Sequence, residues 1–148
     1  MEVEDLVKSE IAGLVQRTFG FFSDPSGLVS DAEVEAAERE LGVRLPVSYR
    51  TFLRYFGGEA RCCQEFFGMP RDGLWGDIVL MNEVDRPPRP PGLVKFSVSD
   101  DGGAYYLDTT RMDAEGECPV VRLDRANHKV VAASNFIEFF HELAAGRI

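Results

Sequence analysis

Apolar residues recur at helical spacing along the first third of the chain. A stripe made of Val3, Leu6, Val7, Ile11, Leu14 and Val15 predicts a helix from about Val3 to Thr18. Ser30 and Glu33 have the spacing of a capping box, which predicts that a second helix begins there. Val34, Ala37 and Leu41 supply its buried stripe, and Gly42 is placed to end it.

Two further helices are predicted from aromatic stripes. Pro46 suits a first-turn position, because its missing N–H has no helical partner there. The residues that follow it at i, i+3, i+4 and i+7 are Tyr49, Phe52, Leu53 and Phe56. Near the end of the chain, Ser134 or Asn135 is placed to cap a last helix. Its buried stripe consists of Phe136, Phe139, Phe140 and Leu143.

The middle of the chain has the period of β-strands. Apolar Val94, Phe96 and Val98 alternate with polar residues, so one face of this strand is expected to be buried. A glycine-containing turn at residues 100–103 leads into a returning strand at residues 104–107. Two more strands are predicted near residues 120–123 and 129–133, whereas residues 75–84 are ambiguous between strand and helix. This order predicts an α+β fold with a mainly antiparallel sheet, flanked by N-terminal helices and a C-terminal helix.

Length and composition predict one domain. The chain has 148 residues, of which 45% are hydrophobic, enough for a core without disulfides or metal. We expect residues 1–148 to form this domain, with residues 1–28 as a helical extension packed on it.

The charge balance narrows the class of partner. A formal net charge of −9 argues against binding to nucleic acid or to an anionic membrane, and it favours encounter with a basic protein. Acidity that serves only solubility remains an open alternative.

Nothing in the sequence indicates a catalytic or metal site. The three cysteines, Cys62, Cys63 and Cys118, lack metal-ligand spacing and are expected to be free thiols of a cytoplasmic protein. His141 and Glu142 begin like a zinc-protease helix, but Ala145 occupies the position of the second histidine. No secretory signal or membrane-spanning run is evident. We therefore expect a non-enzyme with no metal and no cofactor.

An acidic block in the hairpin region is the best candidate for partner binding. Its members are Asp100, Asp101, Asp108, Asp113, Glu115 and Glu117. A carboxylate-rich surface fits a basic partner, although a solvated turn explains the first pair equally simply. Tyr105 and Tyr106 are expected on opposite faces of a strand, one in the core and the other available as an interface anchor.

Four pieces of the sequence, in order, resemble the SUKH superfamily, also described as the Smi/Knr cell-wall-regulator family. The first is the helix at residues 29–38, and the second is the segment LGVRLPVSYRTFL at residues 41–53. The third is the glycine-rich hairpin DGGAYYLD at residues 101–108, where Ala104 replaces a residue that is often polar in the family. The last is the pair of closing pieces at residues 119–121 and 133–140.

The resemblance implies an α+β, non-enzymatic binding domain. Many bacterial members resemble immunity proteins that neutralise a cognate toxin, often a nuclease, and fungal relatives act as regulators and scaffolds. We therefore expect a toxin-binding immunity protein, with a regulatory or scaffolding domain as the alternative. The oligomeric state is left open.

Overall fold

Five α-helices and a four-stranded antiparallel sheet make up the part of the chain described by the computed structural model. It describes residues 3–19, 29–57, 66–70, 77–84, 90–99, 102–124, 126 and 128–148. The helices are α1 (Val3–Phe19), α2 (Asp31–Leu41), α3 (Val47–Tyr55), α4 (Ile78–Glu83) and α5 (Phe136–Ala144). The strands are β1 (Leu93–Val98), β2 (Ala104–Asp108), β3 (Val120–Leu123) and β4 (Lys129–Ala133). The predicted α+β class is confirmed.

The strands form a meander in the order β1-β2-β3-β4, each antiparallel to the next. The predicted alternation along β1 fails at its end. Val94 and Phe96 are buried, but Val98 is 52% exposed and Ser97 is buried instead. The cause is a register shift between Lys95 and Ser97, since an extra residue in one strand exchanges the two faces beyond it.

An aromatic core fills the space between the sheet and the helices. Rings from α3, β1 and α5 meet there, with neighbouring centroids 4.8 Å apart for Tyr49 and Phe136 and 5.3 Å apart for Phe96 and Phe139. Phe66, from the connection after α3, lies among them, 4.9 Å from Phe140. These tilted and edge-on contacts add to the burial energy of each ring. The aromatic core therefore joins α3 and the sheet to the C-terminal helix.

Helix α1 belongs to the same core. Its Ile11, Leu14 and Val15 are fully buried in the cluster that contains the α3 and α5 aromatics. Leu6 departs from the predicted stripe and is 55% exposed. His141 Nε2 lies 2.7 Å from Glu10 Oε1 and ties α5 to α1 at the surface.

Local capping explains where the helices begin. Ser30 and Glu33 form the predicted capping box of α2, and Gly42 follows its end at φ +74°. Asn135 accepts a hydrogen bond from the Glu138 amide at the start of α5. Asp77 does the same for the amides of Val79 and Leu80, which resolves the ambiguous segment as helix α4.

The two edges of the sheet differ. Beside β1, the Asn82 amide accepts from Lys95 N and donates to Lys95 O, both at 2.9 Å, so α4 pairs with this edge. Strand β4 is the last strand in the described part of the chain. There Val130 and Val131 are 60% and 55% exposed.

A second apolar cluster lies on the sheet. It contains residues of β1, β2 and β3: Leu93, Ala104, Tyr106, Val121 and Leu123. Tyr105, the neighbour of Tyr106, packs instead against Phe139 in the main core, with ring centroids 4.8 Å apart. The two tyrosines thus face opposite ways, as expected, and neither is an exposed anchor.

Candidate partner-binding surface

The acidic residues 113–117 form a tight turn, here called the acidic turn, that is held by its own first side chain. Asp113 Oδ1 accepts hydrogen bonds from the amides of Glu115 at 2.8 Å and Glu117 at 3.0 Å. Gly116 adopts φ +79°, a conformation that L-residues with a Cβ rarely take. Asp113 and Glu115 are exposed, so the turn presents two carboxylates on a rigid backbone.

Glu117 points away from solvent and caps helix α3. Pro46, at the N-cap position of α3, has no side chain that can accept from the first amides. Glu117 supplies the missing acceptor from 69 residues away: Oε2 accepts from Ser48 N at 2.9 Å and Oε1 from Ser48 Oγ at 2.5 Å. A carboxylate at a helix N-terminus is also favoured by the helix dipole.

Burial and charge act together on Glu117. Desolvation of this half-buried carboxyl raises its pKa above the usual range, and the nearby Asp113 and Glu115 raise it further. The hydrogen bonds from Ser48 oppose this rise without overcoming it. Glu117 is therefore a structural carboxyl whose charged form is disfavoured first by burial and then by its acidic neighbours.

A backbone contact fastens the acidic turn to the same helix. Val47 N donates to Gly116 O at 2.9 Å. A Cβ added to Gly116 would lie 2.9 Å from Val47 Cγ2, closer than such atoms pack. Glycine at this position therefore allows both the positive φ and the close approach of the turn to α3.

Asp108 is buried as well, and its charge is matched inside the fold. Its side chain is 1% exposed, and Oδ2 lies 3.1 Å from Lys129 Nζ. Oδ1 accepts from Thr110 N at 3.2 Å and from Thr110 Oγ1 at 2.5 Å. Burial tends to raise the pKa of Asp108, but the hydrogen bonds from Thr110 and the charge of Lys129 outweigh it and hold the pKa below its usual value.

The predicted acidic block is thus divided by the structure. Asp113 and Glu115 reach solvent together, whereas Asp108 and Glu117 are bound to groups of the protein itself. Asp100 and Asp101 lie outside the described residues. Among the described members of this block, the carboxylates open to a partner lie on the exposed side of the acidic turn.

A second charged surface, not predicted from the sequence, lies at the junction of α2 and α3. It is an open hollow of about 550 Å³, and we call it the arginine groove. Its lining consists of Glu35, Glu38, Arg39, Gly42, Val43, Arg44 and Arg50. The sequence does place Arg39, Arg44 and Arg50 around the LGxxLP segment. No helical or strand periodicity runs through this loop, so the sequence alone does not predict that the three arginines line one hollow.

The histidines and the described cysteine have structural surroundings. His128 Nδ1 lies 3.1 Å from Asp124 Oδ2, and His141 is paired with Glu10. Cys118 is buried, and desolvation together with the nearby carboxylates, Glu117 foremost, raises the pKa of its thiol to about 12. A thiol with so high a pKa is a poor nucleophile at neutral pH. Cys62, Cys63 and Trp75 lie outside the described residues.

The described residues contain neither a cluster of metal ligands nor a helix fit to span a membrane. Among them, no three side chains of His, Cys, Asp or Glu are gathered so as to hold a metal ion. None of the helices in the described ranges combines the length and apolarity required to cross a bilayer.

Comparison with known families identifies the region that carries these surfaces. The model of the SMI1 / KNR4 family (SUKH-1) matches residues 28–142. The match includes the acidic turn, helix α3 and the arginine groove. No curated protein matches the chain.

Proposed function

The chain belongs to the SMI1 / KNR4 family (SUKH-1), and from this premise we propose that it is a non-catalytic protein-binding domain. More specifically, we propose an immunity protein of the cytoplasm that binds and neutralises a cognate bacterial toxin, such as a nuclease. The observation that carries the proposal is the acidic turn, which presents the carboxylates of Asp113 and Glu115 from a rigid support on α3.

The surroundings of the reactive side chains support a non-catalytic role. Both histidines are paired with carboxylates, and the Cys118 thiol is buried with a raised pKa. Among the described carboxyls with a lowered pKa, the buried one, Asp108, is enclosed by Thr110 and Lys129 rather than facing a cleft. Perturbed groups of this kind are explained by the fold and do not require a substrate.

Rigid carboxylates on an acidic protein favour rapid binding to a basic surface. A toxin that acts on nucleic acid has a cationic face for phosphate, and a net charge of −9 steers such a partner toward this chain. The turn is already ordered by Asp113 and Gly116, so little conformational entropy is lost when it is bound. Asp100 and Asp101 are proposed to add to the same steering.

A growth assay tests the immunity function. Any toxin domain encoded beside this gene is expressed in a sensitive host with and without the full chain. We expect the chain to restore growth and to co-purify with the toxin as a stable complex. Absence of both rescue and complex would contradict the proposal. A complex with a housekeeping protein, without rescue, would instead support the regulatory or scaffolding alternative.

Association kinetics then test the proposed surface. Glu115→Lys reverses an exposed charge, and Asp113→Asn removes a charge while keeping the oxygen that orders the turn. We expect both variants to slow association with the toxin several-fold and to flatten its salt dependence, since exposed charges act mainly on the on-rate. Glu83→Lys, on the exposed end of α4, makes the same charge change as Glu115→Lys and is the matched control. Equal effects of these two reversals would place the contact elsewhere.

A further inference from the structure

The arginine groove concentrates cations on a protein that is otherwise strongly acidic. Arg39, Arg44 and Arg50 line the same hollow. Within the described ranges, the guanidinium groups of Arg39 and Arg44 make no hydrogen bond or ion pair. Two of the three cations are therefore available to a ligand from outside.

The third arginine is held in place rather than neutralised. Arg50 Nε lies 3.6 Å from Glu38 Oε1, beyond hydrogen-bond distance, and has no hydrogen-bond partner in the part of the chain that the structure describes. The other oxygen of Glu38 accepts from Leu45 N at 2.7 Å, which fixes this carboxylate to the loop between α2 and α3. Glu38 thus positions Arg50, and within the described ranges it makes no ion pair with Arg39 or Arg44.

The charge of the lining selects the kind of anion. Three arginines are opposed by two carboxylates, Glu35 and Glu38, so the groove as a whole carries one net positive charge. This matches a single carboxylate better than a phosphate dianion. Arginine forks bind carboxylates through paired, charge-assisted hydrogen bonds. Gly42 and Val43 add a small apolar wall against which a short side chain can lie.

We infer that the arginine groove binds a carboxylate side chain of an acidic protein segment, with Arg39 and Arg44 as its direct partners. The site is separate from the proposed toxin contact and of opposite sign. Both nevertheless adjoin α3, since the acidic turn contacts Val47 and the groove includes Arg50. A partner that uses both would present basic and acidic residues side by side.

A peptide titration tests the site without any toxin. The probe is a short capped peptide of glycine and serine with one central glutamate, and its twin carries glutamine instead. Binding is followed by NMR at the arginine Nε–Hε signals of the full chain. We expect saturable shifts of the Arg39 and Arg44 signals with the glutamate peptide, at a Kd of about 1 mM, and none with the twin.

Three variants sharpen the test. Arg44→Gln is expected to weaken binding about two- to fivefold, the effect of one exposed ion pair. Glu35→Gln removes a competing carboxylate from the lining and is expected to strengthen binding. Arg17→Gln, an exposed arginine on α1, is the matched control and should change nothing. All three positions lie on the surface or at its margin, and the amide spectrum of each variant checks that it is folded.

Several results would overturn the inference. Equal shifts with the glutamate and glutamine peptides would remove the carboxylate from the recognition. Tighter binding of inorganic phosphate than of the glutamate peptide would contradict the preference for a carboxylate that the net charge of the groove implies. No saturable shift with any probe would show that the groove is solvated surface. Toxin rescue is unaffected by any of these results, so the two proposals fail independently.

Discussion

The acidic turn and the arginine groove lie against the same helix, yet they use their charges in opposite ways. In the turn, Asp113 and Glu117 accept hydrogen bonds from backbone amides, and only part of the acidic charge reaches solvent. In the groove, the guanidinium groups of Arg39 and Arg44 make no hydrogen bond or ion pair with the described residues. The turn therefore combines charge that orders the fold with charge that is open to a partner, whereas the two groove arginines are only open to a partner.

This difference shows that clustered charges in a sequence need not all be exposed in the fold. The N-terminus of α3 lacks its own side-chain cap, so the carboxylate of Glu117, from a distant part of the sequence, binds there. The helix α2 C-terminus is already closed by Gly42, whose N–H bonds to carbonyls of α2, so nearby cations are not needed by the backbone. The number of acids in a cluster thus overestimates the charge that a partner can meet.

The largest expected effect is the loss of the α3 cap. Glu117→Ala leaves the amide and hydroxyl of the buried Ser48 without their acceptor, and we expect the free energy of unfolding to fall by about 2 kcal/mol. Urea denaturation at neutral pH measures it. The matched control is Glu115→Ala in the same turn, for which we expect a change below about 0.5 kcal/mol. Similar losses for both variants would contradict the division between structural and exposed acids.

The next effect concerns the backbone of the turn. Gly116→Ala introduces a Cβ at positive φ and within 2.9 Å of Val47 Cγ2. We expect a loss of about 2 kcal/mol in thermal or urea unfolding, because the left-handed conformation costs a residue with a side chain at least about 1 kcal/mol and the close contact with Val47 adds to it. Gly146, also at positive φ but with no atom within 4 Å of an added Cβ, provides the control. Gly146→Ala is expected to lose less, and an equal loss would mean that the approach to Val47 is not tight.

A smaller effect is expected in how the stability contributions of Asp108 and Glu117 depend on pH. Asp108→Asn keeps the oxygen that accepts from Thr110 but removes the charge that pairs with the half-exposed Lys129, so we expect a loss of about 1 kcal/mol at pH 7. The folded pKa of Asp108 is lowered, so its contribution is present above the unfolded pKa of about 3.9. It is lost as the pH falls through the folded value. The difference between wild type and variant should therefore shrink in acid.

The stability contribution of Glu117 depends on pH in the opposite direction. Its folded pKa is raised, so its contribution to stability is complete below the unfolded pKa of about 4.3 and declines as the pH rises through the folded value. The difference between wild type and Glu117→Ala should thus be larger in mild acid than at pH 7. Urea titrations across pH 3 to 8 compare both acids, and parallel profiles would show that the two carboxyls share one environment.

The smallest effect is expected in the arginine groove. Arg39→Gln and Arg44→Gln remove guanidinium groups that make no bond in the described structure, so we expect the free energy of unfolding to change by less than about 0.5 kcal/mol. The double variant should behave as the sum of the two. A clear loss of unfolding free energy in either variant would show that this arginine stabilises the fold, as Glu117 is expected to do.

Local signals in the sequence were sufficient for most of the fold. The capping box of Ser30 and Glu33, the aromatic stripe of α3 and the closing stripe of α5 were all predicted, because each depends on residues within one or two turns. The exposed end of β1 was predicted wrongly. A bulge between Lys95 and Ser97 depends on pairing with β2, which periodicity within one strand does not contain.

The sequence also indicated the family, which the family model confirms over residues 28–142, but it did not separate the roles of the acids. Asp113 and Glu117 are four residues apart, and nothing local distinguishes them. Glu117 caps α3 because the fold brings residue 117 to residue 48, and Asp108 is matched by Lys129 across the sheet. The arginine groove likewise forms only when α2 and α3 pack together.

Four of the five described helices, the consecutive antiparallel strands, the overall negative charge and the family resemblance could be predicted from the amino-acid sequence alone. Those properties follow from side-chain periodicity, capping residues and composition, all of which act over short distances along the chain. Which of the inward-facing charges are enclosed depends on tertiary packing, because a carboxylate is stabilised by the group that the folded chain places within about 3 Å of it. For Glu117 and Asp108 the decisive groups are Ser48 and Lys129, which lie 69 and 21 residues away in sequence.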